Sequence, residues 1–145
     1  MQTMTVQDRA ADIAEDFSFL DDWEDRYAHL IDMGKANPPL AEGERTETTR
    51  VRGCTSQVWI VIEDKPEGRL HIRAESDALI VSGLIALLIR LLDEGTRDEI
   101  LAFDTVGFLD QIGVSGTLSA QRSNGLASML ERIMQTAASP APAGG

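Results

Sequence analysis

The stretch Ala78 to Leu92 constrains the fold most. It is almost continuously apolar, interrupted only by Ser82, Gly83 and Arg90, so a helix there has no polar face to offer water. It is also shorter than the roughly 20 apolar residues a membrane span needs. Such a segment reads as a helix buried inside a soluble domain, and the rest of the chain must supply its walls. Ser76 is placed to cap it, with the helix beginning at Asp77 or Ala78.

The walls are legible as periodicity. Val6, Ala10, Ile13 and Phe17 recur at helical spacing, as do Trp23, Tyr27, Leu30, Ile31 and Gly34. Asp21 with Glu24 forms a capping-box pattern before the second helix, and Asn37-Pro38-Pro39 ends it. Thr48 to Arg52 reads as a short strand. Val58, Ile60 and Ile62 alternate with Trp59 and Val61, and Leu70, Ile72 and Ala74 alternate with His71 and Arg73. Lys65-Pro66-Glu67-Gly68 between them is a tight-turn sequence. Thr96 with Glu99 is a capping box for a short helix, and Asp104 starts another. Leu126, Met129, Leu130, Ile133 and Met134 form the stripe of a last helix, capped near Ser119. The expectation is an α+β fold: a small antiparallel three-stranded sheet packed against helices. One domain over residues 1–138 and a disordered Pro/Gly-rich tail over 139–145 complete the plan.

Charge narrows the function classes. Thirteen basic against 24 acidic residues give a formal net charge of −11. That balance opposes a nucleic-acid footprint and attraction to an anionic membrane. It suits solubility, or a protein partner with a basic patch. Met1 to Thr5 carries no basic start followed by an apolar run, so no secretory signal is expected. A single cysteine excludes an internal disulfide framework and fits a reducing cytoplasm.

That cysteine, Cys54, lies in Arg50-Val51-Arg52-Gly53-Cys54-Thr55-Ser56, between two strand patterns. A free cysteine is often a small buried hydrophobe. Here Gly53 permits a tight or mobile backbone, and Arg50 and Arg52 put positive charge near the thiol in an acidic chain. The thiolate is the nucleophile in sulfur exchange, and an ordinary thiol with a pKa near 8.5 is only about 3% ionised at pH 7. Nearby cations favour the thiolate, whereas burial opposes it. Hydrolysis would require a base, and His29 and His71 both read as surface or boundary residues. One cysteine and two distant histidines lack the paired spacing of a zinc site, so no metal is expected. No phosphate-binding glycine pattern occurs. Asp77 and Arg122 precede apolar helical segments, where capping and a solvated face account for them.

Taken in order, several segments resemble the SufE family of sulfur-acceptor proteins. They are Trp23-Glu24-Asp25-Arg26-Tyr27, the run from Arg50 to Trp59, Asp77 to Ile85, and Arg122-Ser123-Asn124-Gly125-Leu126. Together these cover nearly all of the chain from Phe17 to Ala137. Thr55 and Arg52 fall where the family varies, and Ala120-Gln121 departs from the family's proline-containing form.

The resemblance implies an IscU/SufE-like fold and persulfide acceptance on Cys54 from a cysteine desulfurase. It further implies stimulation of that partner and delivery of sulfur towards an iron–sulfur scaffold. On this view the protein is a carrier, not an enzyme, and needs no cofactor of its own; the pyridoxal phosphate sits on the desulfurase. Asp77 is implied to support the cysteine segment, and Arg122 to lie near the sulfur route. The alternatives are a cluster scaffold, for which further cysteine ligands are missing, a cysteine hydrolase or transferase without an identified base, and an interaction module with an inert Cys54.

Overall fold

The computed structural model describes residues 5–51, 57–114 and 120–139, with backbone only for 120–127. Two helices come first, α1 (Val6–Ser18) and α2 (Trp23–Ala36). A hairpin of β1 (Val58–Lys65) and β2 (Arg69–Ser76) follows. The chain then returns to helix: α3 (Leu79–Leu92), α4 (Arg97–Ala102), α5 (Thr105–Gln111) and α6 (Ala120–Ala138). Among the described residues no helix is long and apolar enough to cross a membrane.

The apolar segment becomes the central helix. In α3, Ile80, Leu84, Ile85, Leu87, Leu88, Leu91 and Leu92 are all buried, while Leu79 and Arg90 mark a narrow exposed face. Helix α1 presents Val6, Ala10, Ile13 and Phe17 to this core, the four residues its spacing predicts. Helix α2 packs so closely on α3 that their glycines meet: a Cβ on Gly83 would lie 2.1 Å from the Leu30 carbonyl oxygen, and one on Gly34 would lie 2.7 Å from the Gly83 nitrogen. From α6, Met129, Leu130 and Ile133 close the core, with Met134 half-buried. The Leu126 side chain, the expected cap at Ser119 and the tail beyond Ser139 lie outside the described residues.

Three local expectations are corrected. The cap of α2 is Asp22, whose carboxylate accepts from the Asp25 nitrogen at 2.9 Å, rather than Asp21 with Glu24. Trp23 and Tyr27 stay exposed, stacked edge to face, so the buried stripe of α2 is narrower than its pattern suggests. Helix α3 starts at Leu79; Ser76 still accepts from the Ala78 nitrogen (3.1 Å), one turn-like step before the helix proper. The expected boxes at Thr96–Glu99 and the Asp104 start of α5 form as read.

The sheet is the larger correction: among the described residues it has two strands, not three. Its register runs from Val58 opposite Ser76 to Lys65 opposite Arg69. Of the third strand there remains one bridge, Arg50 to Trp59, flanked by Val51 N–H to Val58 O at 2.7 Å and Ile60 N–H to Thr49 O at 2.8 Å. The cause is local. Thr46 and Thr49 exchange backbone-to-hydroxyl hydrogen bonds (3.0 and 3.2 Å), and the Arg50 nitrogen donates back to the Thr46 carbonyl at 3.0 Å. Threonine hydroxyls that satisfy backbone groups in a turn compete with extension into a strand.

Candidate functional site

Cys54, with Arg52 and Gly53, lies in 52–56, outside the described residues, as does the side chain of Arg122. The chain on either side of that segment is held by identifiable contacts. On the entering side, Val51 is buried at 3% exposure and paired to Val58. Behind it, the Arg132 guanidinium from α6 donates to three consecutive carbonyls: Thr48 at 3.2 Å, Thr49 at 3.1 Å and Arg50 at 2.9 Å. A guanidinium carries five donors in a rigid fork, which suits it to satisfy several acceptors of a segment that lacks a full strand partner.

On the leaving side, Gln57 and Asp77 bind each other twice. The Gln57 nitrogen donates to the Asp77 carboxylate at 3.0 Å, and the Asp77 nitrogen donates to the Gln57 carbonyl at 3.2 Å. Asp77 therefore contacts the residue immediately after 52–56, which capping or a solvated face does not require. The two ends, Val51 and Gln57, are thereby fixed to the hairpin and to the approach of α3.

A charged lattice lies on the solvent side of β2. Arg73 donates to both oxygens of Glu44 (2.8 and 2.5 Å) and to Glu63 (3.2 Å), while Glu75 takes Arg45 at 2.9 Å and the Leu40 nitrogen at 2.7 Å. The Arg73 hydrogen bonds, followed by one from the Ala41 backbone, hold the Glu44 carboxyl down to about 2. Arg73 is correspondingly pushed up, first by its bond to Glu44.

The two histidines separate. His29 is half-buried, its ring edge-on to Phe17 with centroids 5.2 Å apart, and its Nε2 is buried without a hydrogen-bond partner among the described residues. His71 places Nδ1 3.0 Å from Asp93 Oδ1 and 3.9 Å from Glu94 Oε1. Sequence reasoning missed this grouping because the residues are far apart in the chain. The usable signal was the acidic pair directly after the apolar helix, opposite a histidine on a strand's polar face.

A largely buried central helix walled by helices and a hairpin, with the ends Val51 and Gln57 on either side of the single-cysteine segment held by hydrogen bonds, defines a small α+β domain. The description "SufE: Fe-S metabolism associated domain" matches residues 11–137, and the chain belongs to that family. An uncharacterized SufE-like protein of Rhizobium etli is 45% identical over 128 residues, covering 86% of each chain. One from Rhizobium meliloti is 42% identical over 134 residues, covering 90% of this chain and 96% of the relative. The solution structure of a hypothetical protein from Thermus thermophilus superimposes with a TM-score of 0.72 at 22% identity, covering 89% of this chain and 93% of that one. At that identity the likeness shows the fold.

Proposed function

We propose that Cys54 accepts persulfide sulfur from a pyridoxal-phosphate cysteine desulfurase and passes it towards iron–sulfur cluster assembly. The supporting observation is that a chain belonging to the SufE family over residues 11–137 carries one cysteine and no other thiol. In the exchange, the Cys54 thiolate attacks the outer sulfur of the partner's persulfide. The bond between the two partner sulfurs breaks, the partner's thiolate leaves, and the persulfide now ends on Cys54. No net oxidant is consumed, because sulfane sulfur moves from one thiol to another. Clearing the partner's cysteine releases it for a further cycle, so this protein accelerates the desulfurase without being an enzyme itself.

The anchored ends of the cysteine segment favour this reading over an inert thiol. Asp77 holds the exit at Gln57 and Arg132 holds the entry at Arg50; a nucleophile that must meet a donor on another protein benefits from such fixed approaches. Arg122 is carried as a residue near the sulfur route, on the family resemblance. The formal charge of −11 suits a partner with a basic docking face, and the single cysteine fits a reducing cytoplasm.

Intact-mass analysis after incubation with a cysteine desulfurase and free cysteine tests the proposal. The expected result is the added mass of one sulfur atom on the wild type, removed by reductant, and absent from Cys54→Ser at unchanged melting temperature. Unmodified mass together with unstimulated desulfurase turnover defeats it.

A further inference from the structure

A second cluster of chemistry-bearing side chains lies where β2 meets the end of α3. His71 projects from the polar face of β2. Asp93 is the C-cap of α3, and Glu94 follows it. Their candidate ligand atoms, His71 Nδ1 and one carboxylate oxygen from each acid, all lie within 4.8 Å of one another, and all three residues are half-buried. We propose that His71, Asp93 and Glu94 form a site for a divalent transition-metal ion of the zinc class.

Three observations carry this. First, the backbone of both acids is locked. The Asp93 nitrogen donates to the Ile89 carbonyl at 2.8 Å and its Oδ1 accepts from the Ile72 nitrogen at 2.7 Å. The Glu94 nitrogen donates to the Leu70 carbonyl at 2.8 Å, and the Glu94 carbonyl accepts from Arg69 at 2.7 Å. Glu94 is held at φ 65, a left-handed conformation that glutamate seldom adopts. A preorganised donor set loses little freedom when it takes a ligand.

Second, the three ligand atoms stand at separations that a bound ion can bridge. Zinc binds histidine nitrogen and carboxylate oxygen at about 2.0–2.2 Å, which in a tetrahedron separates neighbouring ligands by about 3.3 Å. Without an ion, His71 Nδ1 and Asp93 Oδ1 are hydrogen-bonded at 3.0 Å, and Glu94 Oε1 stands 3.9 Å from the same nitrogen. The second distance is too long for a hydrogen bond, and a shared cation closes it with a small movement of the Glu94 side chain. One imidazole and two carboxylates are a borderline-to-hard set that suits zinc and its first-row neighbours.

Third, the cluster borders open space. His71 and Asp93 also line a cavity of about 290 Å³ walled by Pro38, Pro39, Leu40 and Ile89. An ion held by three protein groups keeps a fourth position for water or an exogenous ligand, and the cavity gives that position room.

The rival is an ordinary imidazolium–carboxylate cluster, and zinc titration of the full chain by calorimetry separates the two. The expected result is one zinc per chain, unchanged in Cys54→Ser and weakened by about tenfold or more in His71→Asn and in Glu94→Gln. Asparagine retains an N–H that reaches Asp93 in place of Nδ1, so His71→Asn keeps the local hydrogen bond while losing the imidazole ligand. Zinc should also raise the melting temperature of Cys54→Ser and leave that of His71→Asn unmoved. No saturable binding at about 100 µM zinc overturns the proposal, as does binding that disappears with Cys54→Ser but survives His71→Asn. The Cys54→Ser arm keeps this outcome independent of sulfur transfer.

Discussion

At the scale of single residues, the tightest constraint among the described residues is a missing side chain. Gly83 sits on α3 where a Cβ would stand 2.1 Å from the Leu30 carbonyl oxygen and 2.7 Å from the Leu30 carbonyl carbon. Those atoms are backbone of α2 and cannot swing aside as a flexible side chain does. Gly83→Ala must therefore push α2 away from α3 along a buried face. Overpacking of this kind destabilises by about 1–3 kcal/mol, and the backbone clash places it at the upper end. Chemical denaturation should show a midpoint lowered accordingly, with the spectrum of the folded state retained. A change below about 0.5 kcal/mol, the size of an ordinary surface substitution, would mean the helices do not approach as closely as described. Single side chains also hold the sheet to two strands among the described residues: Thr46 and Thr49 are β-formers by propensity, yet their hydroxyls close a turn on each other.

At the scale of elements, the segment that leads to Cys54 depends on a helix distant in the chain. Arg132 of α6 spans to Thr48, Thr49 and Arg50 with three hydrogen bonds, supplying what a third full strand would otherwise supply. Hydrogen bonds from a charged donor contribute about 1.5–3 kcal/mol before discounting for exposure. Arg132 is half-buried, so Arg132→Met should destabilise by about 1–3 kcal/mol. Because the contacts fall on the entry to the cysteine segment, alkylation of Cys54 by iodoacetamide should change in rate more than the stability loss alone accounts for. An unchanged alkylation rate in a destabilised variant would confine Arg132 to a purely structural part. The hairpin's register, by contrast, follows from alternation and from the turn at Pro66–Gly68, where Glu67 and Gly68 both take positive φ.

At the scale of the whole molecule, acid acts through two opposed effects. Lowering the pH removes part of the self-repulsion of a chain at formal charge −11, which favours the compact state. It also protonates carboxylates that are ionised and paired in the fold. Glu44, held down to about 2 by Arg73 and the Ala41 nitrogen, is the clearest case. Its folded value lies below its ordinary value of 4.5. Its stabilising contribution is therefore complete above about pH 4.5 and is lost as the pH falls towards 2. Urea midpoints of wild type and Glu44→Gln, compared from about pH 7 to about pH 2, should differ most at neutral pH and converge in acid. A constant difference across that range would remove Glu44 as a titrating contributor.

The sequence by itself determined what burial and capping dictate locally. A segment as apolar as Ala78 to Leu92, too short to span a membrane, had to become a core helix, and period-2 alternation around Lys65-Pro66-Glu67-Gly68 had to fold back as a hairpin. The single thiol, and the motifs around it, were likewise legible from residue order, as was the family. Tertiary structure alone decided which distant groups meet: Arg132 with residues 48–50, Asp77 with Gln57, and His71 with Asp93 and Glu94. The physical reason is range. Propensity, periodicity and capping act within a few residues of the chain, whereas these contacts are set by how α3, α6 and the hairpin pack, a quantity no local pattern encodes.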